Sequence, residues 1–240
     1  MAYTYLQMML KERRKLTRTS TSTSTSTYLT WGGVMATGSQ NKGQIPKAVE
    51  FDRILDAAVE MATERDDWSN LSFVELAKNC GTSVNHIRHY YADTNAIANA
   101  WFSRALEAML AADLESIEVL AVKERLEFII WRWFETLAPH HRVTTQMLGA
   151  KLHLPHIHHW VPMIFDLSRL VQFWREAAGL HTGGRRRQIE EVVLTGIFLA
   201  TLRTWCRDES LQQSQAHARL LALITRAERA VTFRLSMDPH

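Results

Sequence analysis

The 240-residue sequence is poor in residues that end helices or cross-link chains, with ten glycines, five prolines and two cysteines. The scarcity of glycine and proline disfavours an architecture of short strands and turns and favours helices. Cys80 and Cys206 lie far apart with no CxxC partner, which excludes a disulfide framework and a structural zinc site made of thiolates. We therefore expect a protein of a reducing compartment, the cytoplasm.

Long apolar runs and catalytic signatures are also absent from the sequence. No run approaches the roughly 20 apolar residues of a membrane crossing, and no secretory signal peptide is evident. The chain has no GxSxG, no P-loop, no GxGxxG after a strand and no cysteine placed to become a reactive thiolate. We expect a soluble globular protein that is not an enzyme, has no catalytic residues and needs no cofactor.

Charge is present in both signs but is unevenly distributed. Residues 1–46 hold six basic residues and one acidic residue, so this segment carries +5 while the whole chain carries +3. Residues 47–240 therefore sum to −2. The pI near 9.0 is consequently no evidence that the folded body binds nucleic acid.

The N-terminal segment has low complexity, since Thr and Ser alternate without a break from Thr19 to Thr27. Such a tract buries too little apolar area to offset its ordering entropy, which predicts disorder over residues 1–46. Its basic, nearly acid-free composition is typical of an organelle transit peptide or of a basic arm that contacts phosphates. The alternative is a translation start assigned too early, with the true start at Met35.

Residues 47–102 have the periodicity of a small helical domain. Lys47–Arg65 places apolar side chains at helical spacing and predicts a first amphipathic helix. A second, short helix is predicted from Phe73 to Cys80. Ser72 and Glu75 have the spacing of a capping box, in which each side chain satisfies a free backbone N–H of the other residue.

A third and a fourth helix follow closely. Gly81 is predicted to end the second helix in the left-handed conformation, and Ser83 to cap a third helix that extends to Tyr91. Asp93 or Thr94 caps a fourth. Two short helices around a Gly-containing turn form a helix-turn-helix, whose second helix can enter a major groove of DNA. The same hairpin also occurs in helical bundles with no such role.

This segment resembles the N-terminal domain of the TetR family of transcriptional regulators. The resemblance is carried by RILDAA at Arg53–Ala58, LSFVELA at Leu71–Ala77, GTS at Gly81–Ser83 and YYAD at Tyr90–Asp93. These motifs follow one another in the order and spacing of the family.

The resemblance implies an all-α, TetR-like homodimer. Residues 47–102 would form the helix-turn-helix DNA-binding domain, and residues 103–236 a larger helical domain that binds an effector and shares in dimerisation. The recognition helix would run from Ser83 to Tyr91. The residues that the resemblance and the pattern place against a double-stranded DNA operator are Ser72, Thr82, Ser83, Val84, Asn85, His86, Arg88, His89, Tyr90 and Thr94.

Two of these positions depart from the family pattern. Members usually carry Tyr at the position of Arg88 and Lys at the position of Thr94, and both commonly contact phosphates. Arg88 can replace such a contact with a fixed charge, whereas Thr94 cannot. Asn85 can pair with adenine, and His86 and His89 can contact phosphates or base edges, although either His can equally be a solvated helix residue.

The head segment is also acidic overall. Residues 47–102 hold five basic and nine acidic side chains, which gives a net charge of −4. Most of the acids fall on the first helix and the turn after it, away from the expected groove face. Binding would therefore depend strongly on salt and on dimer avidity.

The larger domain shows a further series of helical patterns. Its last two helices, predicted over residues 187–207 and 215–233, have the apolar width to form a four-helix bundle with a second copy. The alternative is one buried helix and one ordinary covering helix. The predicted helices are Leu106–Val122, Glu124–Leu137, Thr144–Leu152, Pro162–Ala178, Arg187–Arg207 and Gln215–Phe233.

Aromatic residues are frequent in the middle of this domain and can line an apolar pocket for a hydrophobic small-molecule effector. An aromatic stripe at helical spacing is also what a plain core looks like. An arginine is available for a carboxylate or phosphate group of the ligand. The candidate ligand-binding residues are Trp131, Phe134, Trp160, Phe165, Arg169 and Phe173.

A histidine-rich stretch covers residues 140–159 and raises the possibility of a zinc or nickel site. Pro155 and the uneven spacing predict a loop over residues 151–160, which cannot preset ligand geometry as an i, i+4 pair on a helix does. HEXXH and similar motifs are absent. We therefore expect no metal site.

The residues thus favour an effector-responsive, dimeric DNA-binding regulator, a repressor that a hydrophobic small molecule releases. The alternative is a TetR-like lipid-binding protein without DNA binding, similar to the ubiquinone-biosynthesis lipid-binding protein. The fuller head pattern supports the regulator, and the acidic head and Thr94 suit the lipid-binding protein.

Overall fold

Helices account for all the regular structure in residues 47–111, 117–152 and 157–237, which are the residues described by this computed structural model. The all-α prediction is therefore confirmed. The predicted disordered segment, residues 1–46, lies outside the described residues. Within the described ranges, no helix combines the length and the hydropathy needed to cross a bilayer.

The α-helices are numbered in chain order, and short 3₁₀ turns precede α6 and α9 at Ala138–His140 and Leu211–Gln213. They are α1 (Lys47–Arg65), α2 (Phe73–Asn79), α3 (Val84–Tyr90), α4 (Thr94–Leu110), α5 (Val122–Leu137), α6 (His141–Leu152), α7 (Ile157–Ala177), α8 (Gly184–Trp205) and α9 (Ser214–Met237).

The helix predicted over Leu106–Val122 is matched over Leu106–Leu110, and residues 112–116 lie outside the described part of the chain. The chain is helical from Thr94 to Leu110, through the predicted domain boundary at residue 102, and α5 begins at Val122. The apolar face of α4 places a buried residue at every fourth position, the last being Met109.

The loop predicted over residues 151–160 is also wrong in part, because α6 extends to Leu152 and α7 begins at Ile157. Pro162 therefore lies inside α7, whereas the sequence interpretation placed it at the helix start. A proline beyond the first turn removes one intrahelical hydrogen bond and can still lie within a helix, so it is a poor marker of the first residue.

The core beneath the helix-turn-helix is built from α1, α2 and α3. Ile54, Leu76 and Ile87 are fully buried there. The ring of Tyr91 stacks on that of Phe51 with centroids 4.6 Å apart, and the Tyr91 hydroxyl donates to the Phe51 carbonyl at 3.1 Å. Burial raises the pKa of Tyr91, so the residue packs as a neutral aromatic.

The core of the larger region is centred on α5, as its apolar face predicts. Ile129, Ile130 and Phe134 have no exposed surface. Trp174 of α7 is equally buried, and its indole Nε1 donates to the Leu126 carbonyl at 2.8 Å. Helix α5 thus packs against α4, α7 and α9.

Helices α8 and α9 form an antiparallel hairpin that Asp208 holds at its turn. The Asp208 carboxylate accepts from the Ala216 N–H at 2.7 Å and from the Ser210 N–H at 2.9 Å. Burial alone would raise the pKa of Asp208, but these hydrogen bonds outweigh it and lower the pKa. The start of α9 is therefore capped by a buried carboxylate.

Candidate functional site

The turn between α2 and α3 is a compact, hydrogen-bonded connection. Gly81 has a φ of 62°, in the left-handed region that glycine adopts without strain. The Gly81 N–H donates to the Lys78 carbonyl at 3.1 Å, and the Thr82 N–H to the Ala77 carbonyl at 2.9 Å. The predicted role of Gly81 is confirmed, and these bonds fix the angle at which α3 leaves α2.

Helix α3 is held at its start and on its inner face. The Ser83 hydroxyl accepts from the His86 N–H at 3.2 Å, which confirms the predicted N-cap. Ile87 is fully buried. With its start capped and Ile87 packed inward, the helix presents its opposite face to solvent.

The outward face of α3 is polar and carries much of the predicted DNA-contacting set. Asn85, Arg88 and His89 are exposed side by side at i, i+3 and i+4 spacing. The Tyr90 ring lies edge-on between His86 and His89, with centroid distances of 5.3 Å and 5.4 Å. The structure thus brings hydrogen-bonding groups and a fixed positive charge together on one surface.

Other predicted residues flank α3 at helix ends. Asp93 caps α4, since its carboxylate accepts from the Ala96 N–H at 2.7 Å, and Thr94 is the first residue of that helix. Ser72 caps α2 by accepting from the Val74 N–H at 3.3 Å. The reciprocal half of the predicted capping box is wrong, because Glu75 pairs with Arg65 at 2.5 Å.

Sequence reasoning missed a lysine beside the start of α4. Lys151, at the end of α6, donates through Nζ to Asn95 Oδ1 at 2.8 Å and also to Asn99. A positive charge therefore lies close to Thr94, where the family pattern has Lys. Nothing local signals this placement, because 56 positions separate Lys151 from Asn95.

Ion pairs compensate part of the acidic charge of the head segment. Four of the nine have an arginine partner, and these arginines lie both inside and outside residues 47–102. Their negative charge is therefore compensated locally and opposes an approaching polyanion less than the net charge implies. The pairs are Asp52 and Asp56 with Arg104, Glu75 with Arg65, and Asp66 with Arg142.

Helix α6 is hydrogen-bonded to the turn between α1 and α2 through the amide side chain of one residue. Gln146 accepts from the Trp68 N–H at 2.6 Å and donates to the Asp66 carbonyl at 2.8 Å. Asp66 has a φ of 50°, a strained conformation for a residue other than glycine. Arg142 pairs with the Asp66 carboxylate. Contacts from α6 thus stabilise a strained turn in the head.

The same region of the chain contacts α1, α4 and α8. His140 Nδ1 lies 2.8 Å from the Thr63 hydroxyl, which itself donates to a backbone carbonyl, so the imidazole is the donor. Trp101 Nε1 donates to the Thr144 hydroxyl at 2.9 Å in the core. His141 Nε2 donates to the Trp205 carbonyl at 2.6 Å.

Of the predicted histidine cluster, His140 and His141 are therefore committed to these hydrogen bonds. His153 and His156 lie outside the described residues. In the part of the chain that the structure describes, no three His, Cys, Asp or Glu side chains converge as metal ligands do.

The predicted ligand-binding residues are only partly brought together. Phe134 is fully buried among other rings, with centroids 5.8 Å from Trp131 and 5.8 Å from Trp205. Phe173 is buried, whereas Arg169 is exposed. The side chains of Trp160 and Phe165 lie outside the described part of the chain. The ligand assignment stays a prediction.

Helix α8 has an exposed apolar stripe. Ile189 is 55% exposed and Val192 72%, and Leu199 continues the same face two turns later. Gly196 lies between them, with open space where a Cβ would point. These residues recur at alternating steps of three and four, the spacing of a helix that packs against another helix.

Comparisons with known proteins decide the family. No protein-family model and no curated protein match the sequence. A solved structure, the TetR transcriptional regulator from Nitrosomonas europaea ATCC 19718, is 32% identical, covers 75% of this chain and 98% of its own, and superposes with a TM-score of 0.66. The chain belongs to the TetR family of transcriptional regulators.

A second solved structure supports the fold of this TetR-family member. The TetR transcriptional regulator from Rhodococcus sp. RHA1 is 15% identical, covers 75% of this chain and 95% of its own, and has a TM-score of 0.57. The resemblance found in residues 53–93 is thus confirmed at the level of the family. In this TetR-family chain, the helix-turn-helix is α2, its turn and α3.

Proposed function

We propose that the chain is a homodimeric DNA-binding repressor, released from its operator when a hydrophobic small molecule binds the larger region. The observation that carries the proposal is the outward face of α3. That face combines an amide, a guanidinium and imidazoles on a helix capped at Ser83 and anchored by Ile87. A helix so presented fits the major groove.

Each outward residue has a distinct role in this proposal. Asn85 pairs with an adenine through N6 and N7, which selects sequence. Arg88 contacts a phosphate and contributes to affinity at every sequence. Lys151 supplies a second positive charge near Thr94, where the N-terminus of α4 also favours an anion.

The stripe on α8 supports dimerisation. Ile189, Val192 and Leu199 expose apolar surface on one face, and a second copy that covers them removes this surface from water. Residues 187–207 and 215–233 then form a four-helix bundle with their symmetry mates. A two-fold dimer places two α3 helices on successive half-sites.

Helix α6 supports coupling between ligand and DNA. It contacts the α1–α2 turn through Gln146 and Arg142, and α8 through His141. A ligand that displaces α6 therefore acts on a strained turn of the head and on the helix proposed to hold the dimer. The comparisons do not favour the alternative of a lipid-binding protein without DNA binding.

The test begins by selecting duplexes from a random library with the full chain. Binding of an enriched duplex is then measured by fluorescence anisotropy over a range of salt concentrations. Arg88→Ala is expected to weaken binding about tenfold and to reduce the salt slope by about one. Lys123→Ala, which removes a charge at the start of α5, is the matched control and should leave both unchanged.

Two results would count against the proposal. One is a library from which no sequence is enriched. The other is an Arg88→Ala variant that binds the enriched duplex as tightly as the unmodified chain, with the same salt slope. Either outcome would show that α3 does not carry DNA recognition.

A further inference from the structure

Two buried polar groups on α8 lack a hydrogen-bond partner in the part of the chain that the structure describes. The Thr201 hydroxyl and the Trp205 indole Nε1 are both inaccessible to solvent, and neither has a hydrogen-bond partner among the described residues. More than nine in ten buried polar groups in proteins are paired, so each exception calls for an explanation. These two lie one turn apart on the same face of the helix.

Several comparable groups among the described residues are satisfied, whereas the buried Thr145 hydroxyl on α6 is a further exception. On α8 itself, the hydroxyls of Thr195 and Thr204 each donate to the carbonyl one turn earlier, at 2.6 Å and 3.1 Å. The other fully or nearly fully buried indoles with described bonds, Trp101 and Trp174, donate at 2.9 Å and 2.8 Å. Other threonines and tryptophans of this chain thus find partners, and what distinguishes Thr201 and Trp205 is that two unpaired donors lie on one face of α8.

The surroundings of the two groups are aromatic. Phe198 lies one turn before Thr201 on α8, and its ring centroid is 5.9 Å from that of Phe134. The Phe134 centroid is also 5.8 Å from that of Trp205. Phe134 therefore faces the turn of α8 that carries Thr201, so the two unpaired donors belong to an apolar, ring-lined environment.

We infer that this place is the polar end of the effector site, and that it takes a neutral small molecule carrying an acceptor oxygen. The inference rests on the proposed function and specifies its ligand. An indole N–H only donates, and a threonine hydroxyl can also donate, so the pair suits a ketone, ester or amide oxygen. An aromatic or alkyl group on that molecule would lie against the rings.

A carboxylate does not suit this place. Moving a charge into apolar surroundings is costly unless a cation pairs with it. His141, whose ring centroid lies 4.3 Å from that of Trp205, already donates through Nε2 to the Trp205 carbonyl, and the buried Arg175 is bonded to Glu190. Arg169, the predicted partner for an acidic group, is exposed. The ligand is therefore a neutral carbonyl compound.

Acetophenone and ethylbenzene provide a matched pair of probes, because they share size and ring and differ in the carbonyl oxygen. Binding to the full chain is measured by calorimetry. We expect acetophenone to bind at least tenfold more tightly than ethylbenzene. In Thr201→Val this preference should fall several-fold with ethylbenzene binding unchanged, while the control Thr204→Val keeps it. Equal affinities, or no binding of either probe, overturn the inference.

The thermal unfolding of the ligand-free chain gives a second readout. Thr201→Val keeps the shape of the side chain and removes an unpaired hydroxyl, so the melting temperature should rise by a few degrees. Thr204→Val removes a bonded hydroxyl and should not raise it. A lower melting temperature in Thr201→Val would mean that the hydroxyl is satisfied, and would overturn the inference.

The results that would contradict this inference differ from those that would contradict the proposed function. DNA binding is measured with the enriched duplex in the absence and presence of acetophenone. A preference for acetophenone that depends on Thr201, without loss of DNA binding, supports the site and contradicts release by ligand. Retained DNA binding with no preference for the ketone contradicts the site and leaves DNA recognition intact.

Discussion

Helices α3 and α8 both present an uncovered face, and the chemistry of the two faces is opposite. The outward face of α3 carries Asn85, Arg88 and His89, whereas that of α8 carries Ile189 and Val192. A polar face with a fixed positive charge is hydrated in water without a partner, and it attracts a polyanion. An apolar face gains free energy only when another surface covers it. We therefore propose that the face of α3 serves recognition and the face of α8 serves assembly.

The largest loss of stability is expected at the ion pair that joins α7 to α8. Arg175 is 5% exposed and bonds Glu190 at 2.8 Å, with Thr182 completing the network. Arg175→Ala removes the buried guanidinium and leaves Glu190 with Thr182 and the exposed Arg186, which should lower the free energy of unfolding by about 3 kcal/mol. Urea denaturation of the full chain measures this loss of unfolding free energy.

The matched control for that change lies on the same helix. Arg187 pairs with Glu191 at i, i+4 spacing but is 46% exposed. Arg187→Ala should therefore cost under about 0.5 kcal/mol. Equal losses of unfolding free energy in Arg175→Ala and Arg187→Ala would contradict the claim that the buried Arg175 network holds α8 against α7.

A charge placed on the α8 stripe should break the proposed dimer. Val192→Glu puts two carboxylates into an apolar interface, which should weaken association about a hundredfold. Sedimentation equilibrium would then detect monomers at concentrations where the unmodified chain is dimeric. Val119→Glu, at an 88% exposed position outside the stripe, is the control and should leave the dimer intact. A Val192→Glu dimer of ordinary strength would refute the assignment of this face.

Substitution on α3 separates sequence reading from general affinity. Asn85→Ala should cost about 1–3 kcal/mol at one adenine-containing base pair and leave binding to other sequences unchanged. Anisotropy titrations of the enriched duplex and of single base-pair variants measure the difference. A uniform loss across all duplexes would place Asn85 among the phosphate contacts and not among the base contacts.

The smallest effect is expected at the cap of α3. Ser83→Ala removes the oxygen that accepts from the His86 N–H and should destabilise the chain by about 1 kcal/mol. The affinity for DNA should fall more in Ser83→Ala than in Ser72→Ala, which removes the cap of α2. If both variants bind DNA equally, the orientation of α3 does not depend on its cap.

The features of the head that were predicted correctly depend on residues close together in the sequence. The turn at Gly81 and the caps at Ser83 and Asp93 involve residues a few positions apart, so their patterns are visible in the chain. Where a distant residue competes, local reasoning is wrong. Glu75 bonds Arg65, ten positions away, in place of the capping box at Ser72.

Long-range contacts account for what the sequence did not predict. Gln146 contacts Trp68, 78 positions earlier, and no periodicity or motif marks either residue for the other. The same holds for Lys151 beside Asn95. Such pairs depend on how α6 packs against the head, which follows from the whole core and not from any segment of it.

The central claim, that α3 reads DNA sequence, is tested most directly by competition. The enriched duplex is displaced from the full chain by a scrambled duplex of the same length and composition, at physiological salt. The account predicts that the enriched duplex binds at least about a thousandfold more tightly, and that Asn85→Ala narrows this ratio. Equal affinities for the two duplexes would contradict it.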